Sequence, residues 1–179
     1  MKPGKLYGVG IGPGDPRYLT LRAADVLRSV DVIFTVISQN ASSSVSRSVV
    51  ESLEPRGEIH LQIFSMSRDK AVRAAQVQAN ADAIITELKA GRDCAFATLG
   101  DAMTYSTFGY VLEIIRESIP GVELEIVPGI TSFHSDGKSR NCARRKRRTA
   151  QSHPILQVGN GRNAGLPQRL HHDSPQNLP

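Results

Sequence analysis

CAFATLGDAMTYSTFGYVLEII, residues 94–115, reads as a buried strand that opens into a polar loop and then a helix. The first five residues form a short apolar run, and from Tyr110 onward apolar positions recur at helical spacing. In α/β proteins the exit of a strand into such a loop is a favoured place for small-molecule sites. The loop carries the carboxylate of Asp101 and hydroxyls at Thr104, Tyr105, Ser106 and Thr107. That set suits a polar, cationic ligand better than a naked phosphate. It equally suits a plain connection in which Ser106 or Thr107 caps the helix.

Upstream the same alternation recurs. Residues 5–11 alternate apolar side chains with glycine before Gly12-Pro-Gly-Asp-Pro16, a strand and a tight turn. An amphipathic helix follows over 19–30, with Leu19, Leu21, Ala24, Val26 and Leu27 on its apolar side and Thr20 or Asp15 placed to cap it. A β-branched strand at 32–37 gives way to a serine-rich stretch at 38–44, a helix at 45–53 and a strand at 59–64. The alanine-rich segment 69–89 predicts a long helix with Val72, Ala75, Ala79, Ala83, Ile84 and Leu88 on one side, stopped near Gly91. After residue 117 a Pro120-Gly121 turn leads into a last strand at 123–127. Strands and helices that alternate in this way predict an α/β layer around a mainly parallel sheet.

The 179 residues suffice for one sizeable domain, and 40% hydrophobic with 22% charged residues is the balance of a soluble globular protein. No apolar run approaches the roughly 20 residues of a membrane span, and the N-terminus enters its first strand without a signal-peptide block. Cys94 and Cys142 form no metal-spaced or redox pair, so no metal site and a reduced, cytoplasmic setting are expected. The net charge of +5 is unevenly spread: residues 134–179 hold nine of the 22 basic and two of the 17 acidic residues. That segment lacks Phe, Tyr, Trp and Glu and is expected to be disordered. The part before it is mildly acidic and offers nucleic acid no electrostatic attraction. Residues 1–127 then form an N-terminal α/β domain, 128–133 an interdomain segment, and 134–179 a basic tail.

Gly8, Gly10, Gly12 and Gly14 match neither the dinucleotide fingerprint nor a P-loop. Taken with their surroundings, however, three segments resemble one family, the tetrapyrrole (corrin and porphyrin) methylases. They are GVGIGPGDPRYLTLRAADVL at 8–27, LGDAMTYSTFGY at 99–110 and VPGITSF at 127–133, and the likeness runs through residues 4–133. The YSTFGY wording is most similar to the branch that methylates C20 of precorrin-2 or cobalt-factor II in cobalamin biosynthesis. Ala102 stands where the family commonly has proline, which loosens the loop slightly.

The resemblance implies a two-domain, homodimeric α/β enzyme with S-adenosylmethionine in a trough between its domains and a tetrapyrrole substrate, away from membranes and nucleic acid. Pro13 would approach the cofactor. Leu99, Gly100 and Asp101 would form one wall of its pocket with Thr104 close by, and Thr131 and Ser132 would reach it from the second domain. Tyr105, Ser106 and Thr107 would shape the cofactor or macrocycle site. Methyl transfer from a sulfonium is an in-line displacement that needs positioning and charge complementarity more than a protein nucleophile. Asp101 could pair with a cofactor charge. Asp15 is a candidate for the base that removes a proton, although capping the helix after the turn suits it better. His60 reads as structural, and His171-His172 lack a third ligand for a metal.

After residue 133 the family continues into a second α/β domain, whereas the composition here changes abruptly. A frameshift would produce that change, leaving the second domain largely missing and cofactor binding weak or absent. Other readings are a uroporphyrinogen-type sibling, and diphthine synthase or a ribosomal RNA ribose methylase, against which YSTFGY argues. A nucleic-acid binder using the basic run 144–148, without interleaved aromatics, and a non-catalytic remnant complete the set.

Overall fold

The computed structural model describes residues 2–39, 41–65 and 67–131. The expected contact from Ser132, the disordered tail, the histidine pair at 171–172, the frameshift and the missing second domain all fall outside the described residues. Strand β1 (Leu6–Gly10) leads through a 3-10 turn at Pro16–Tyr18 to helix α1 (Leu21–Ser29) and strand β2 (Val32–Ser38). Helix α2 (Val45–Glu51), strand β3 (Glu58–Phe64) and helix α3 (Lys70–Lys89) come next. Strand β4 (Cys94–Thr98), helix α4 (Phe108–Ser118) and strand β5 (Leu124–Val127) complete the order. Every strand and helix expected from the sequence forms, with its ends moved by two residues at most.

The five strands make one sheet in the order β3-β2-β4-β1-β5, and every pairing is parallel. The chain therefore leaves each strand at the same edge. Side chains alternate across the sheet. On one face Leu6, Phe34 and Phe96 pack with Ala81, Ile84 and Leu88 of α3 and with Phe108, Val111 and Ile115 of α4. On the other, Val9, Ile33, Ala95 and Ala97 pack with Ala23, Val26 and Leu27 of α1 and with Val49 and Val50 of α2. A strand covered on both faces reads as an unbroken apolar run, which is why CAFAT is buried throughout.

Local chemistry fixes the ends. Thr20 Oγ1 accepts from Ala23 N at 3.2 Å and caps α1. Asp15 instead caps the 3-10 turn, accepting from Arg17 N at 3.0 Å. Asp69 caps α3 through Ala71 N at 2.8 Å, and Gly91, with φ 84°, turns the chain out of that helix. Thr20→Ala should lower stability by about 1 kcal/mol, read as a fall in the urea midpoint at unchanged slope.

The buried face of α3 differs from expectation. Ala81, Ile84, Ile85 and Leu88 are buried, whereas Val72, Ala75, Ala79 and Ala83 face solvent. Alanine suits either side of a helix, so a stripe traced through three alanines carries little information. The branched side chains settle the orientation. Among the described residues no helix is long and apolar enough to cross a membrane.

Candidate functional site

The sheet order makes neighbours of β4, β1 and β5. Three segments far apart in sequence, 11–15, 99–107 and 128–131, consequently leave the sheet side by side. The first two are joined by an antiparallel bridge, Gly12 N to Gly100 O at 3.2 Å and Gly100 N to Gly12 O at 2.8 Å. Both glycines have positive φ, 71° and 75°, a conformation that L side chains resist. Behind the bridge, Gly10 and Gly129 lie against one another. A Cβ on Gly10 would sit 2.6 Å from Gly129 N and 2.7 Å from Gly100 O. The alternating glycines of the first strand thus mark where three backbones converge.

Asp101 joins the second and third segments. Its Oδ1 accepts from Met103 N at 3.0 Å and from Thr104 Oγ1 at 3.0 Å. Its Oδ2 accepts from Gly129 N at 3.1 Å, across 28 residues of sequence. Partial burial alone would raise the carboxyl pKa, but the hydrogen bonds from Gly129, Met103 and Thr104 outweigh it and hold the group below the usual aspartate range. An ionised carboxylate offers roughly four acceptor positions, and internal donors take three of them. These bonds leave roughly one acceptor position and the full negative charge for the expected pairing with a cofactor charge.

The rest of the loop divides by direction. Ala102 is buried in the core with the apolar residues of α4. Ser106 Oγ accepts from Phe108 N at 3.1 Å and donates to Thr98 Oγ1 at 3.4 Å, which ties the start of α4 to the end of β4. Thr107, at the N-cap position, makes no side-chain cap bond. Leu99, Met103 and Tyr105 are exposed. Tyr105 is 79% exposed and has φ 52°, an uncommon backbone conformation for an aromatic residue. Pro13 and Thr131 are half-buried at the flanks, and Thr104 is exposed apart from its bond to Asp101.

Asp15 lies on the neighbouring turn with Arg17 Nη2 2.6 Å from its Oδ2. The Arg17 guanidinium and backbone amide pull its pKa down to about 2. Its observed role is that of the cap of the 3-10 turn. His60 pairs with Glu58 at 3.3 Å and meets the Phe34 ring edge-on at 5.4 Å, as a structural histidine would. Among the described residues no three His, Cys, Asp or Glu side chains cluster as metal ligands.

Sequence reasoning missed two features beside the site. Ser44, at the end of the serine-rich stretch, and Ser46, in the helix that follows, are buried, and both donate to Val36 O at 2.8 Å. They are needed because β2 pairs with β4 only as far as Thr35, which leaves the next backbone groups on that side without a strand partner. A recess of about 250 Å³, lined by Gly14, Pro16, Ser43, Val45, Ser48 and Val49, opens between the glycine turn and α2. A buried serine pair close in sequence was the available signal.

Known proteins share this sequence and fold. Residues 5–136 match the family model of the Tetrapyrrole (Corrin/Porphyrin) Methylases. The chain is 37% identical over 137 residues to a probable cobalt-precorrin-2 C(20)-methyltransferase of Methanocaldococcus jannaschii, covering 76% of this chain and 57% of that protein. It is 40% identical over 131 residues to the cobalt-precorrin-2 C(20)-methyltransferase of Salmonella typhimurium, covering 73% of this chain and 54% of the relative. The chain thus spans little more than half the length of these two relatives. The uroporphyrin-III C-methyl transferase of Thermus thermophilus, solved with S-adenyl homocysteine, superposes with a TM-score of 0.54 at 25% identity over 75% of this chain and 48% of its own. With the three glycine-bearing segments brought together and the family model spanning nearly all of the described fold, the chain belongs to the tetrapyrrole (corrin/porphyrin) methylase family.

Proposed function

We propose that the convergent ends of β1, β4 and β5 form one wall of an S-adenosylmethionine site, and that the protein serves C20 methylation of precorrin-2 or its cobalt form. The observation that carries this reading is the junction of the GPGDP, LGDAM and PGIT segments through the Gly12–Gly100 bridge and the Asp101–Gly129 bond. The residues present fit the cofactor. Over Gly100 the nearest atom to an added Cβ is Thr131 Cα at 3.8 Å, which leaves room for a ligand against bare backbone. None of the residues in 11–15, 99–107 and 128–131 is Lys or Arg, so no cation opposes a sulfonium.

Pro13, Leu99, Gly100, the backbone at Asp101, Thr104 and Thr131 would hold the cofactor, with Ser132 next in sequence. When bound, S-adenosylmethionine supplies an electrophilic methyl group. The glycines let the backbone approach closely, and the exposed Leu99 and Met103 side chains shield that surface from water. Tyr105, exposed at the loop tip, offers its ring toward a flat macrocycle. Ser106 ties the loop to Thr98 and to the start of α4, and with Thr107 it borders the substrate side of the loop in this reading. A homodimer is part of this reading.

Titration of the chain with S-adenosylhomocysteine, followed by amide NMR, tests the wall. Shifts should concentrate at Gly12, Gly14, Leu99–Thr104 and Thr131 even if affinity is weak. Absence of any shift there up to about 1 mM ligand, equivalent to roughly −4 kcal/mol of binding, would reject the site. Incubation with precorrin-2 and S-adenosylmethionine, read by the mass gain of one methyl group, tests the substrate separately.

A further inference from the structure

The geometry points to Asp101 as a positioning residue: its carboxylate couples the turn after β4 to the segment after β5 and so sets the spacing between Thr104 and Thr131. For its bearing on a ligand this inference rests on the proposed cofactor wall. The coupling itself rests on coordinates alone. Oδ1 closes the turn by accepting from Met103 N and Thr104 Oγ1, while Oδ2 accepts from Gly129 N at 3.1 Å. The backbone at 128–130 has no strand partner of its own, since β5 pairs with β1 only as far as Val127. The Gly129 amide therefore takes the carboxylate as its acceptor where the sheet ends.

The close glycine contacts make the tie directional. Gly10 and Gly100 press on Gly129 from one side, and no side chain there can pull it away. Asp101 holds it through the amide. Movement of the 129–131 segment would have to break the Asp101 bond or carry the 101–104 turn along. The same carboxylate aligns the Thr104 hydroxyl, so one group orients polar atoms on both sides of the open space over Gly100. An aspartate does this where an asparagine cannot, because only a carboxylate presents acceptors on both oxygens.

Asp101→Asn separates the two halves. Its amide oxygen can keep the Met103 and Thr104 bonds, while its NH₂ faces the Gly129 N–H as donor against donor. In NMR spectra of the full chain at neutral pH, the Gly129 proton should move upfield in Asp101→Asn and exchange at least about tenfold faster. The Met103 proton should stay near its wild-type position, and the Leu6 and Val9 amides should remain protected as reporters of an intact sheet. Thr104→Val, which removes the hydroxyl alone, should leave Gly129 in place. S-adenosylhomocysteine affinity should fall at least about tenfold in Asp101→Asn. An unchanged Gly129 signal in folded Asp101→Asn overturns the coupling. A released Gly129 with wild-type ligand affinity overturns the positioning role. Failure of the wild-type chain to bind the ligand would count against the cofactor wall and withdraw the positioning role with it, while the Gly129 signal still decides the coupling.

Discussion

Gly129→Ala should unseat the segment after β5 and cost at least about 3 kcal/mol, the upper end of ordinary overpacking. An alanine Cβ there would fall on Gly100 O and lie 2.6 Å from Gly10 C and 2.7 Å from Gly10 Cα. All three obstacles are backbone atoms within or beside the sheet, so no rotamer change relieves them. The cheapest escape is outward movement of 128–131, which sacrifices the Gly129 bond to Asp101. The predicted signs are a lower urea midpoint, loss of Gly129 amide protection, and loss of S-adenosylhomocysteine shifts at Thr131 and Thr104 together. Gly109→Ala is the matched control. Gly109 lies in α4 with nothing within 4 Å of an added Cβ, so alanine there should stabilise by about 0.5–1 kcal/mol. Equal midpoints for the two variants would refute the close approach of the three backbones.

How much of this was legible in the sequence depends on the kind of information each feature carries. The strands and helices were, because CAFAT, VIFTVI and LTLRAADVL carry their own period. The parallel sheet followed from their alternation. The strand order did not follow, since nothing local in 5–11 says that it inserts between β4 and β5. The site was therefore visible only as separate segments, and the insertion of β1 is what joins them. Side-chain roles within the loop were the least legible. A carboxylate beside hydroxyls looks the same in sequence whether it awaits a ligand or ties two loops together. Asp101 does the second because a backbone amide remote in sequence arrives at its Oδ2. The role of Ser44 and Ser46 was hidden for a similar reason: the need they meet, the backbone of Val36, arises only once β2 outruns β4.

Phe108→Ala should cost about 3–5 kcal/mol, which against the roughly 5–15 kcal/mol of total stability of an ordinary domain means partial or complete unfolding. The phenyl ring opens α4 at full burial, with its centroid 5.3 Å from that of Phe96, which in turn meets Phe64 edge-on at 6.3 Å. It also fills the space above β1 that Gly8 leaves open. A Cβ on Gly8 would fall on Phe108 Cε1 and lie 2.8 Å from Cζ. The aromatic residue of the TFGY run and the first glycine of the GVGIGPGDP run are thus two halves of one packing contact. That contact anchors α4, and with it the C-terminal end of the loop that carries Asp101 and Tyr105. Chemical denaturation followed by far-UV circular dichroism measures the loss, with Phe108→Leu as the milder replacement at less than half the cost. If Phe108→Ala keeps the wild-type midpoint, the ring is not in the core, and the loop is held by Ser106 and Asp101 alone. If it unfolds while Tyr105→Ala, which removes the exposed neighbouring ring, does not, then the loop rests on its buried aromatic rather than on the outer one.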